Sequence, residues 1–87
     1  MNKIVVYGIS ECTHCTELKN MLRANKYPYI YIDVSLDEHE EEFDKVIKKT
    51  GSDNVPVVLY DNHLLAPGVS FNSLDDLMKI IEDLYNE

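Results

Sequence analysis

The stretch KIVVYGISECTHCTELKNMLRANKYPYIYIDV, residues 3–34, decides the architecture. KIVVY (3–7) is short, β-branched and bounded by Gly8, which predicts a buried strand. From 13 to 26 the apolar positions Leu18, Met21, Leu22 and Ala24 follow helical spacing, with charges elsewhere. Pro28 forbids continuation of that helix. YIYIDV (29–34) is again β-rich and predicts a second strand. Strand, helix and strand in this order imply a parallel pair joined by a right-handed crossover. Two cysteines, Cys12 and Cys15, fall where the first strand hands over to the helix.

Downstream, Ser35 and Glu38 match a capping box, so a helix is expected from 36 to about 50. Phe43, Val46 and Ile47 would face inward, with Gly51 as the stop. VVLY (57–60) predicts a third strand, Asp61-Asn62 a turn, and 63–66 a returning fourth strand. Pro67-Gly68 breaks it. Asn72 or Ser73 then caps a last helix carrying the apolar stripe Leu74, Leu77, Met78, Ile81, Leu84 and Tyr85. The reading is α/β: one mixed four-stranded sheet in the order β-α-β-α-β-β-α, flanked by three helices, as a single domain over 1–87.

The chain has 87 residues and a net charge of −8, with 45% apolar and 28% charged residues, which is ordinary globular composition. The charge argues against nucleic acid and against anionic lipid as partners, and favours a soluble monomer. No apolar run reaches the roughly 18 residues of a membrane span. The first residues lack the length and cleavage site of a signal peptide, so the expected location is the cytosol. The acidic run DEHEEEFD (37–44) complements a helix N-terminus and reads as a solvated face. The tyrosines read as strand residues with polar tips, Tyr7 among them as core packing.

Two cysteines three residues apart close too small a loop to stabilise a fold, which leaves redox chemistry or a metal. At a helix N-terminus, unpaired N–H groups and the dipole favour a thiolate. The thiolate is the attacking species in disulfide exchange, so Cys12 is the expected nucleophile. Cys15, nearly a turn further on, would lie beneath it, attack the mixed disulfide and release the reduced substrate. A protonated His14 beside Cys12 would support the thiolate, the alternative being an exposed loop residue with no role. The alternative is a small zinc-binding module. It needs two more ligands, and His14, His39 and His63 lack the usual ligand spacing.

Across its whole length the chain resembles the glutaredoxin family, including its thioredoxin-reductase-dependent branch. The resemblance is carried by Val5-Val6-Tyr7 ahead of Cys12-Thr13-His14-Cys15, by Asn54-Val55-Pro56, and by Gly68 ahead of the last helix. It implies a thioredoxin fold and a dithiol–disulfide oxidoreductase with no tightly bound cofactor. It also implies a cis bond at Pro56, with the Val55 backbone facing Cys12 and pairing with substrate. Thr13, His14, Gly68 and Ser70 are the further substrate-binding positions it marks. Protein disulfides are the implied substrates, a ribonucleotide reductase among the recipients of electrons, and glutathione or thioredoxin reductase the implied reductant. The sequence departs from the family where glutathione is held. The usual Pro-Tyr between the cysteines is Thr13-His14, a Lys is Ile9, a Thr is Asn54, a Gly-Gly is Pro67-Gly68, and an Asp is Ser70. Lys48 and Lys49 remain to hold a carboxylate and Ser70, Asn72 or Ser73 to meet the γ-glutamyl end, but surface solvation and helix capping account for these residues more simply.

Overall fold

The computed structural model describes residues 4–86. Strand β1 (Ile4–Gly8) leads into helix α1 (Thr13–Ala24), and the chain returns as β2 (Tyr29–Asp33). Helix α2 (Glu40–Thr50) follows, then β3 (Val57–Tyr60), β4 (His63–Leu65) and helix α3 (Leu74–Tyr85). The strands form one four-stranded sheet in the order β2-β1-β3-β4. β1 runs parallel to β2, with Ile4 opposite Tyr29 and Gly8 opposite Asp33, and antiparallel to β3. β3 and β4 form a hairpin whose turn holds Asp61 at φ 58°, the left-handed conformation such tight turns require. This is the mixed four-stranded sheet expected from the sequence.

The period-two alternation of β1 divides the core. Ile4 and Val6 face one side, with Leu18 and Leu22 of α1 and Leu77 and Ile81 of α3. Val5 and Tyr7 face the other, with Phe43 and Val46 of α2. β3 divides the same way, Val58 and Tyr60 to the first side and Val57 and Leu59 to the second. Two helices thus cover one face and one helix the other. The end of β1 is held between both layers, and that rigid edge delivers the chain to Cys12.

Local differences from the sequence reading have identifiable causes. Lys3 lies outside the described residues. α1 ends at Ala24 rather than 26, because Lys26 turns into the left-handed region at φ 61° before Pro28 is reached. The Ser35–Glu38 capping box does not form. Asp33 accepts both the Ser35 N–H (2.9 Å) and the Ser35 hydroxyl (2.6 Å), which turns the Ser35 side chain back toward β2 and away from the N–H groups it would cap. These two bonds, the hydroxyl first, hold the Asp33 carboxyl below the usual carboxylate range. A single 3-10 turn (Asp37–His39) then precedes α2, which begins at Glu40. At α3, Ser73 does cap: its hydroxyl accepts the Asp76 N–H at 3.2 Å.

Ile81 is fully buried between α3 and the sheet, so Ile81→Ala is expected to cost about 2–5 kcal/mol in urea unfolding. Ser73→Ala is expected to cost only about 1 kcal/mol, the usual worth of an N-cap. Equal costs for the two would contradict this description of the core.

Candidate active site

Cys12 occupies the N-cap of α1, with extended backbone (φ −132°, ψ 116°). Its sulfur accepts the Cys15 backbone N–H at 3.2 Å, the bond a Ser or Asp oxygen ordinarily makes at this position. The Cys12 carbonyl accepts the Thr16 N–H and the Thr16 hydroxyl, each at 3.0 Å, which fixes the turn. No acidic residue stands in the first turn of α1 to compete with an anionic sulfur for the positive end of the helix. Cys12 is half-buried and opens to a shallow surface depression lined by Ser10, Glu11, Thr13, Thr16 and Glu17.

Cys15 is fully buried and faces the end of β1. Gly8 makes this possible: a Cβ there would lie 2.8 Å from the Cys15 sulfur and would also strike the Tyr31 hydroxyl. Burial pushes the Cys15 thiol up to about 11, with the neighbouring Cys12 adding to the rise. The Ile9 backbone and the Tyr31 hydroxyl, each able to donate to an anionic sulfur there, oppose that rise. The two cysteines are both free thiols, one presented and one withheld.

Tyr31 was read from the sequence only as a strand residue. Its hydroxyl donates to the Ile9 carbonyl at 2.6 Å, and the Lys19 ammonium sits 4.2 Å from its ring centroid. Tyr31 pairs with Val6 in the parallel register, which puts it on the sheet face that α1 covers.

Beside the cysteines lies a groove of about 450 Å³, lined by His14 and Glu17 of α1, by Val55 and Pro56, by Pro67 and Phe71, and by the start of α3. The Val55–Pro56 bond is cis. His14 is exposed and belongs to this groove. Asn72 and Ser73 line it as well, whereas Gly68, Ser70, Lys48 and Lys49 are not among its lining residues. The Ser70 hydroxyl accepts the Ala66 N–H at 3.2 Å and donates to the Leu64 carbonyl at 3.4 Å. Gly68, at φ 75°, gives its N–H to the Phe71 carbonyl. Both therefore shape the turn that carries Pro67 and Phe71 to the groove. Among the described residues lining the groove none is Lys or Arg, while Glu17 and Asp75 are both present.

The glutaredoxin family model matches residues 4–65. Glutaredoxin 1 of Rickettsia typhi is 30% identical over 84 residues, which cover 95% of this chain and 74% of that protein. The chain belongs to the glutaredoxin family. Solved structures agree on the fold. A glutaredoxin of Archaeoglobus fulgidus superimposes with a TM-score of 0.72 at 25% identity, covering 93% of this chain and 87% of that one. A buckwheat glutaredoxin–glutathione complex gives 0.73 at 19% identity, covering 94% and 70%. Membership makes the chain a thiol–disulfide oxidoreductase of thioredoxin fold.

As a family member it keeps the cysteine pair and the Val-Pro segment but not the usual charge beside them. Ile9, where the family often has Lys, supplies its backbone to the Tyr31–Cys15 cluster instead. For the zinc-module alternative, no three His, Cys, Asp or Glu side chains converge among the described residues, so that reading lacks a ligand set.

The buried Cys15 thiol binds its proton more tightly folded than unfolded. Its contribution to stability is therefore full below pH 9.0 and is lost as pH rises through about 11. In urea unfolding of the reduced protein, the wild type is expected to lose stability over that range more steeply than Cys15→Ala. Parallel pH profiles would contradict the burial of a protonated thiol.

Proposed function

We propose that the protein reduces disulfides in other proteins through a two-step exchange. The Cys12 thiolate attacks a substrate sulfur and forms a mixed disulfide, releasing the first substrate thiolate. Cys15 then loses its proton and attacks the Cys12 sulfur. The Cys12–substrate bond breaks, the second substrate sulfur leaves as a thiolate and is protonated by water, and a Cys12–Cys15 disulfide remains. The observation that carries this reading is the asymmetry of the pair: Cys12 caps the open end of α1 and Cys15 is sealed beneath it.

The Val55-Pro56 segment, Thr13 and His14 are the residues that would meet the substrate chain. Val55, Pro56 and His14 share the groove, and Thr13 borders the depression over Cys12. Gly68 and Ser70 act through the turn rather than by contact. A ribonucleotide reductase disulfide is a candidate recipient on family grounds. The cytosol is the fitting location for such chemistry, since it keeps exchange partners reduced, and the net charge of −8 suits a monomer that engages neither nucleic acid nor membrane. Among the described residues no helix is long and apolar enough to cross a membrane.

Two reductants can reset the disulfide. The buckwheat neighbour was solved with glutathione, and glutathione is one candidate. It carries net negative charge, however, and the groove here offers two carboxylates without a Lys or Arg among its described lining residues. That distribution favours a reductase protein over glutathione.

The oxidised protein, mixed separately with thioredoxin reductase and with glutathione plus glutathione reductase, is expected to consume NADPH faster with the former. Cys12→Ser should abolish turnover in both. Retained activity in Cys12→Ser would overturn the nucleophile, and faster glutathione-driven turnover would overturn the preferred reductant.

A further inference from the structure

The resolving step asks a fully buried sulfur to become an anion. Burial opposes that charge strongly unless a hydrogen-bond donor meets it. Two donors border the sulfur and favour its charged form, the Ile9 backbone and the Tyr31 hydroxyl. The hydroxyl is held at 2.6 Å on the Ile9 carbonyl, its ring lies under the Lys19 ammonium, and the space it shares with the Cys15 sulfur exists because residue 8 has no Cβ. The other ionisable groups facing this pair, among the described residues, are Cys12 and Lys19 from α1 and Asp33 from β2.

We propose that Tyr31 is the positioning residue of the resolving thiol, its hydroxyl swinging from the Ile9 carbonyl to donate to the Cys15 sulfur as that sulfur becomes anionic. The proton of Cys15 passes to solvent and Tyr31 keeps its own. Burial first, and then the adjacent Cys15, hold the phenol well above its ordinary range, so it remains a donor throughout. Carbonyl and sulfur compete for one O–H. The hydroxyl is thus occupied while Cys15 is neutral and becomes available as charge develops, when a hydrogen bond to an ionised acceptor is worth most.

This inference rests on Cys12 as nucleophile and Cys15 as resolving thiol, and one experiment separates the two claims. Reduced protein mixed with stoichiometric 5,5′-dithiobis(2-nitrobenzoate) releases one thionitrobenzoate when Cys12 attacks and a second when Cys15 displaces the first adduct. Tyr31→Phe is expected to leave the first phase unchanged and to slow the second by roughly tenfold, the effect of losing a hydrogen bond to a charged group. Its second-phase pH midpoint should rise by about one unit, the same factor expressed as a pKa. Site-specific 3-fluorotyrosine at 31 keeps the hydroxyl, makes it more acidic and should move that midpoint down. An unshifted second phase in either protein, or an equal slowing of both phases, would overturn the role of Tyr31. Absence of the first phase in the wild type would instead overturn the assignment of Cys12.

Discussion

A sulfur at the amino end of a helix needs a donor aimed at it, and the chain supplies one by using Cys12 as the cap of α1. Everything nearby serves that placement. β1 is clamped between two helical layers, so the loop that leaves it starts from a fixed edge. The Cys12 carbonyl is tied twice to Thr16, which prevents the first turn from fraying. An acidic side chain in that turn would compete for the same dipole, and none is present there.

The same geometry separates two chemically identical groups. Cys15 is three residues further on and therefore points under the helix rather than out of it. There Gly8 leaves room for it and Tyr31 meets it. One thiol is open to partners, and burial favours the protonated form of the other. The order of events in the proposed exchange follows from burial rather than from any difference in residue type.

Much of this was legible in the sequence because it depends on local patterns. β-branched runs marked the strands, helical spacing marked Leu18 and Leu22, and the last cap was narrowed to Asn72 or Ser73, of which Ser73 serves. The cysteine spacing at a strand-to-helix junction was enough to place Cys12 at the start of α1 and Cys15 beneath it. What was missed depends on competition or on distant pairing. Ser35 matched a capping box, but a carboxylate two residues earlier bound its hydroxyl more strongly. The part Ser70 plays in the turn after β4, where its hydroxyl bonds the Ala66 N–H and the Leu64 carbonyl, likewise has no local signature. Tyr31 reaches the site only through the register of β1 against β2, which no local window contains.

The central claim is that the reduced protein presents Cys12 and withholds Cys15. Brief alkylation of the fully reduced protein with iodoacetamide at pH 7, followed by peptide mapping, tests it directly. The account predicts a carbamidomethyl group on Cys12 with Cys15 unmodified. Labelling of Cys15 first, or of both at the same rate, would contradict it.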